Sequence, residues 1–293
     1  MNKQLPENPL ISVIIPCYNH AHYLQDALES IYSQGYSNIE IIVVDDGSTD
    51  GTKEVTQKNA GVKYVYQNNK GLSAARNTGI KSSEGSLLIF LDADDWLLPG
   101  AINTNLGFLK KHPECAFISG GYRLVFTDSG KTTDTVYEVH EDHYIHFLES
   151  NYIGMHAAVM YQRWVFNEFT FEETLRSCED YDLYLRISKK YPVFHHNKII
   201  AAYRMHGSNM SSNIPMMLKG VLNVLKKQQV NLKTTSEKKA YTRGRFNWKE
   251  YYCTELYEKL NETKTKASRD ELLILVKYYP FLATKYLLKK IMR

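Results

Sequence analysis

Ser86-Leu-Leu-Ile-Phe-Leu-Asp-Ala-Asp-Asp95 is an apolar run that ends in acid. Its length and its lack of helical spacing read as a strand buried on both faces. Leu91 hands the chain directly to Asp92, so the strand delivers carboxylates to the end of a sheet. The same construction occurs twice upstream. Ile11-Ser-Val-Ile-Ile15 stops at Pro16-Cys17-Tyr18-Asn19, and Ile39 to Val44 stops at Asp45-Asp46-Gly47-Ser48-Thr49-Asp50.

Working outward, helical and extended patterns alternate. Asn19 reads as the N-cap of a helix with Tyr23, Leu24, Ala27, Leu28 and Ile31 on one face. Val62 to Tyr66 is a third strand, Gly71 to Ser82 a loop and short helix, and 98–111 another helix. Such alternation predicts a Rossmann-like α/β fold: a mostly parallel sheet with helices on both faces. The pattern weakens over 114–178. Asp180 to Lys190 reads as a helix and Ile199 to Tyr203 as a strand. Beyond Pro215 only helices are expected, over about 216–230, 237–261 and 270–291.

Composition bounds the function. The 293 residues are 43% apolar and 23% charged, enough for a full core. The N-terminus lacks a basic stretch followed by an apolar run, and no apolar run approaches the ~20 residues of a spanning helix. Cys17, Cys115, Cys178 and Cys253 are widely spaced, which suits a reducing compartment. A cytoplasmic place is therefore expected. Residues 214–293 hold 18 Lys+Arg against 7 Asp+Glu, a balance of +11; the whole chain is +4, so residues 1–213 carry 4 − 11 = −7. An acidic body can hold a metal. A basic tail can meet an anionic surface, including the inner face of the cell membrane.

Three polar clusters at the carboxyl ends of neighbouring parallel strands would form one pocket. Hard oxygen donors there suit Mg2+ or Mn2+ bridging carboxylates to a diphosphate. The chain has no GxxxxGK followed by Ser or Thr, and no GxGxxG, so neither a P-loop nor a dinucleotide site is expected. Alone, an Asp-rich turn is more often a solvated turn. Its delivery by a buried strand beside two similar ends argues for a site.

Four segments in order, Ser12-Val-Ile-Ile-Pro-Cys-Tyr-Asn19, Val43-Val-Asp-Asp-Gly-Ser-Thr-Asp-Gly-Thr52, Gly71-Leu-Ser-Ala-Ala-Arg-Asn-Thr-Gly-Ile80 and Phe90-Leu-Asp-Ala-Asp-Asp95, resemble the inverting family 2 glycosyltransferases of GT-A fold. The resemblance covers about residues 10–212. It implies a GT-A catalytic domain over 1–212, with a nucleotide-sugar part near 10–111 and an acceptor part near 112–212, followed by a basic helical region over 213–293. It implies that Pro16 and Tyr18 flank the nucleotide base, that Asp46 accepts a hydrogen bond from it, and that Arg76 sits near the base or the diphosphate. Asp92 and Asp94 correspond to the DXD motif. Asp94 would ligate the metal, Asp92 would contact the ribose or assist at the metal, and Asp95 is read as structural.

Cys178-Glu-Asp-Tyr-Asp-Leu-Tyr-Leu-Arg186 resembles the family's ED motif, which makes Asp180 the catalytic base. Its place at a helix start would favour the ionised form. Tyr203-Arg-Met-His-Gly-Ser-Asn-Met-Ser211 resembles the segment that closes over the donor, with His206 as a further metal ligand. The implied reaction is metal-dependent single displacement, with inversion, from a nucleotide-diphosphate sugar. UDP-hexose or UDP-HexNAc is favoured on family grounds. The acceptor would be a glycan or lipid-linked hydroxyl in cell-surface polysaccharide synthesis.

Asn167-Glu-Phe-Thr-Phe-Glu-Glu173 departs from the family's usual Gly-Gly-Phe-Asp-Glu-like stretch, so no acceptor assignment carries over. His140, Glu141, His143 and His146 read as one face of a helix, and His195-His196 as part of the packing. Two rival readings are a sugar nucleotidyltransferase and a sugar-nucleotide-binding module without activity. The first wants a glycine-rich basic loop, which Asn19-His20-Ala21-His22 does not offer; the second would lack Asp180. No nucleic-acid module is visible. The tail's apolar positions and lysines fit a membrane interface, a cap on the catalytic domain or a contact between copies of the chain.

Overall fold

The computed structural model describes residues 6–207, 209–262 and 267–291, with side chains described as far as 289. Ser208, Arg293 and the first five residues lie outside that set, as do the side chains of Lys290 and Ile291. The chain divides into two compact units. The first comprises Met1–Tyr144, Tyr152–Thr174 and Leu183–His206; the second comprises Ile145–Asn151, Leu175–Asp182 and Gly207–Arg293.

The first unit is built on one sheet. In chain order its elements are β1 (Ile11–Cys17), α1 (Ala21–Tyr32), β2 (Ile39–Asp45), α2 (Thr52–Lys58), β3 (Val62–Tyr66), α3 (Leu72–Ser82), β4 (Leu87–Phe90), β5 (Trp96–Leu97), α4 (Ala101–Lys111), β6 (Phe117–Phe126) and β7 (Thr132–Thr135). Then come α5 (His143–Glu149), β8 (Val159–Gln162), α6 (Glu179–Ser188) and β9 (Phe194–Met205). Helices α5 and α6 each run from one unit into the other.

The strand order is β3-β2-β1-β4-β8-β6-β9-β5, with β7 paired to β6. The first four strands are all parallel. Their apolar runs are buried: Ile11, Val13, Ile14 and Ile15 of β1 and Leu87, Leu88 and Phe90 of β4 are fully enclosed. Beyond β4 the sheet is mixed. β8 is antiparallel to both β4 and β6, and β6 is parallel to β9. Helix α3 lies close on β1 because Gly79 lacks a side chain; a Cβ there would come within 2.2 Å of Ile14 Cγ2.

Several boundaries differ from the sequence expectation. Asn19 does not cap α1. It adopts a left-handed φ of 57°, and its Oδ1 accepts from Thr49 N at 2.8 Å. The helix starts at Ala21, whose N–H donates to Asp50 Oδ2 at 2.9 Å. A residue from the next strand end thus supplies the cap, a substitution no local pattern reveals. Strand β9 begins at Phe194 rather than Ile199, so His195 and His196 lie inside it. Helix α5 begins only at His143, which leaves His140 and Glu141 off its face.

His195 and His196 are packing groups. His195 Nδ1 is 2.9 Å from Ser119 Oγ, and His196 Nε2 is 2.8 Å from Asn105 Oδ1. The His196 ring stacks on Phe108 at 4.4 Å and fills space that a Cβ on Gly120 would occupy. Burial lowers both imidazoles, to about 3 for His195 and about 4 for His196, so both are neutral.

In the second unit, α7 (Ile214–Gln228), α8 (Thr235–Glu262), α9 (Arg269–Tyr278) and α10 (Pro280–Ile291) pack on one another. Asn213 caps α7 by accepting from Met216 N, with Pro215 in the first turn. The core contains Leu218, Val221, Leu225, Leu256, Leu260 and Leu275. Gly244 lets α8 approach the end of α5, where an added Cβ would fall 1.8 Å from Leu148 O. The expected single helix over 270–291 is two helices. Pro280 cannot donate to the preceding turn, so α9 stops at Tyr278 and α10 restarts at the proline. Among the described residues no helix is long and apolar enough to cross a membrane.

Candidate active site

The carboxyl ends of β1, β2 and β4 lie side by side in the first unit. Cys17 pairs with Asp45, Asp46 N donates to Cys17 O at 2.9 Å, and Leu91 N donates to Ile14 O at 3.0 Å. From β1 the chain first builds β2 and β3 on one side, then returns to place β4 on the other. A parallel sheet opens a ligand crevice at such a reversal.

Asp92 to Asp95 form a tight turn closed by Asp95 N donating to Asp92 O at 3.0 Å. Arg76, on α3, is 2% exposed, and its Nη2 donates to Asp92 Oδ1 at 2.7 Å. Its guanidinium also lies 5.5 Å over the Phe171 ring. Asp94 Oδ2 is 3.2 Å from His206 Nε2 and 3.8 Å from His20 Nδ1. The His206 ring stacks on Tyr23 of α1 at 5.1 Å.

Strand β5 explains why residues far apart in sequence meet here. It is two residues long and pairs antiparallel with β9, Trp96 with Ala202 and Leu97 with Ala201. That pairing carries Arg204 and His206 back over the acidic turn. Arg204 N donates to Asp95 Oδ1 at 2.9 Å, its Nε to Asp94 O at 2.8 Å and its Nη2 to Asp26 Oδ2 at 2.7 Å. Its guanidinium sits 4.8 Å from the Tyr23 ring and 4.7 Å from the Trp96 ring. Burial first, then the charges of Asp94 and Asp92, push the Asp95 carboxyl well above the usual carboxylate range, with Arg204 opposing.

The β2 end is organised differently. Asp46 is buried, and its Oδ1 accepts from Gln67 Nε2 at 2.7 Å and Lys70 N at 2.8 Å, its Oδ2 from Gly71 N at 2.8 Å. Asp45 accepts from Ser48 N at 2.8 Å and Tyr64 OH at 2.6 Å. A carboxylate offers about four acceptor positions, so Asp46 retains about one. Pro16 lies within β1 opposite Val44, and Tyr18 just beyond it is half exposed. Asn77, one residue after Arg76, clamps Phe171: Nδ2 donates to its carbonyl at 2.9 Å and Oδ1 accepts from its N–H at 3.0 Å. The divergent segment around Phe171 is thereby tied to α3.

Asp180 belongs to the second unit, half-buried in the first turn of α6, with Tyr181 N donating to its Oδ1 at 2.7 Å. Cys178 before it takes a left-handed φ of 61°, and its carbonyl accepts from Asp182 N at 3.0 Å. A non-glycine residue in that region is strained, which fixes the direction in which the helix starts.

Two donors bound to one six-coordinate ion at about 2.1 Å and at right angles lie about 3.0 Å apart. The 3.2 Å between Asp94 Oδ2 and His206 Nε2 fits that edge. Among the described residues no three His, Cys, Asp or Glu groups converge enough to hold an ion. A partial set suits a cation that completes its shell with substrate phosphate oxygens.

The sequence profile described as Glycosyl transferase family 2 matches residues 12–174, which span the acidic turn, Arg76 and the Phe171 segment. The chain belongs to glycosyl transferase family 2. An uncharacterized glycosyltransferase of Rickettsia felis is 32% identical over 212 residues, covering 71% of this chain and 35% of its own. The putative teichuronic acid biosynthesis glycosyltransferase TuaG of Bacillus subtilis is 30% identical over 211 residues, covering 70% of this chain and 82% of its own. The chain thus spans about a third of the length of relatives such as the Rickettsia protein and most of the length of others. Among solved structures, S. aureus TarS 1–349 in complex with UDP-GlcNAc superposes with a TM-score of 0.67 at 17% identity, over 92% of this chain and 80% of TarS. A mannosyltransferase of Pyrobaculum calidifontis in complex with GDP-Man and Mn2+ gives 0.64 at 15% identity, over 99% of this chain and 89% of its own. The fold is GT-A, with additional C-terminal helices.

Within this family 2 chain, sequence reasoning passed over His20 and Arg204. Arg204 carried a signal: alternation along a strand puts Arg204 and His206 on the same side, both toward the turn. His20 carried none, because only the sheet order brings the β1 exit beside β4.

Proposed function

We propose that the chain is a metal-dependent inverting glycosyltransferase that moves a sugar from a nucleoside-diphosphate donor, UDP-hexose or UDP-HexNAc, to an acceptor hydroxyl. The observation that carries this reading is the placement of the Asp94–His206 pair beside the Arg76–Asp92 ion pair at the sheet's switch point. Asp94 and His206 would hold Mn2+ or Mg2+, with Asp92 toward the ribose or the ion. The bound ion would supply positive charge to the departing diphosphate.

The chain's own groups supply the rest. Pro16 and Tyr18 border the base, and Asp46 offers it the acceptor position left over by Gln67, Lys70 and Gly71. Arg76 acts chiefly through Asp92, whose carboxylate it fixes from below. Asp180 takes the proton from the acceptor hydroxyl as its oxygen bonds to the anomeric carbon and the bond to the diphosphate oxygen breaks. One displacement inverts the configuration. Residues 1–212 form the catalytic domain in this reading, and the acceptor is a glycan or lipid-linked sugar of the cell surface.

Titration calorimetry with UDP and Mn2+ tests the donor side. UDP binding should weaken at least tenfold on adding chelator, and binding that ignores chelator would remove the metal from the reading. Asp180→Asn should keep that binding while losing about 10²–10⁴ in turnover. Full turnover in this variant would place the base elsewhere.

A further inference from the structure

We propose that the outer face of α9 and α10 is a docking surface for an anionic lipid bilayer. The inference goes beyond the transferase reading and rests on the second unit alone. Helices α9 and α10 carry Arg269, Lys277, Lys285, Lys289 and Lys290 against Asp270 and Glu271, both in the first turn of α9. The two helices already bury Ile274, Leu275, Ala283 and Tyr286. Several of their other large apolar side chains are exposed: Phe281 is 71% exposed, Leu273 55%, and Val276 and Leu288 54% each.

Helical periodicity groups these residues. Leu273, Val276 and Lys277 fall on one stripe of α9, and Phe281, Lys285 and Leu288 on one stripe of α10. Each outer stripe is therefore apolar with lysine beside it. Lys285 and Lys289 lie over the Tyr257 ring of α8, with each ammonium 5.5 Å from its centroid. A helix of this kind lies in the headgroup boundary, with its apolar side chains at acyl depth and its lysines near lipid phosphates. At 10 and 12 residues, α9 and α10 are well short of a span.

Charge decides between a bilayer and a second copy of the chain. A two-fold contact through this face would set mainly cations against cations, Asp270 and Glu271 in the first turn of α9 facing the five Lys and Arg of the two helices. An anionic bilayer answers both the apolar and the cationic part.

The test is co-flotation of the full chain with two kinds of vesicle, phosphatidylcholine alone and phosphatidylcholine mixed with phosphatidylglycerol. The chain should float with the anionic vesicles, stay largely behind with the neutral ones, and lose binding as salt rises. Phe281→Asp with Leu288→Asp should abolish flotation. Lys277→Glu should weaken anionic binding by at least about fivefold, since each cation near such a surface contributes about that factor. Circular dichroism would show that the variants fold, because these side chains are exposed. Absence of flotation by the native chain, or equal flotation of the native and doubly substituted chains, would overturn the proposal. So would self-association that the double substitution abolishes while vesicles go unbound.

Discussion

The chain has two aspartate-rich turns, each delivered by a buried parallel strand, and they are built to opposite ends. At Asp45-Asp46 all four carboxylate oxygens accept hydrogen bonds from the protein, and both residues are buried. At Asp92-Ala93-Asp94-Asp95 the buried acid is Asp95; Asp92 and Asp94 keep side-chain exposures of 33% and 12%. The first turn spends its charge on holding the loop from Gln67 to Gly71 in place. The second is supported from below by Arg76 and from the side by Arg204, and so presents two carboxylates whose remaining acceptor positions are available to a ligand. One sequence signature thus yields a clamp and a binding edge. Their neighbours, not the aspartates, make the difference.

Asp94→Asn should break the binding edge with the largest effect. Turnover is expected to fall by about 10²–10³, the range seen on removing an electrostatic contact of the reacting centre. Metal-dependent UDP binding should fall with it, while the melting temperature stays close to that of the native chain. A drop in melting temperature as large as that of a core substitution would mean that Asp94 is a second clamp.

His196→Gln probes, through pH, the packing of β9 against α4. The His196 imidazole is lowered by burial to about 4 from an unfolded value near 6.5. The unfolded chain therefore binds the extra proton first, and stability is lost as pH falls through this window. The full span corresponds to about 3 kcal/mol for this group. Urea unfolding near pH 7 and near pH 4.5 should show a shallower acid loss in the variant than in the native chain. Equal slopes would assign the acid sensitivity to other groups.

Asp46→Asn sharpens the clamp side with the smallest of the three effects. An amide keeps one acceptor oxygen but sets an NH2 against a backbone N–H of Lys70 or Gly71. Leaving such a group unsatisfied costs about 1–3 kcal/mol. Denaturant unfolding should show that loss directly, with donor affinity falling as a consequence of the loosened loop. Unchanged stability with lost donor binding would make Asp46 a ligand contact first.

Strands β1, β2 and β4, which run out at Cys17, Asp45 and Phe90, were legible in the sequence because a parallel strand buried on both faces must be apolar throughout, and its polar exit is then unmistakable. The same holds for the α/β class and the helical C-terminal region, both of which rest on local periodicity. The cap of α1 by Asp50, the break at Pro280 and the mixed half of the sheet were not read from that periodicity. Of these only the proline was written locally; the cap and the antiparallel strands depend on partners far along the chain. Tertiary structure alone decided which acidic turn spends most of its acceptor positions on the protein itself. That outcome depends on Gln67, Lys70 and Gly71 folding back on Asp46, and on β9 pairing with β5 to bring Arg204 and His206 over Asp94. Sequence placed the carboxylates at the sheet edge; how much of each remains for a ligand is set by hydrogen-bond partners some 20 to 110 residues away.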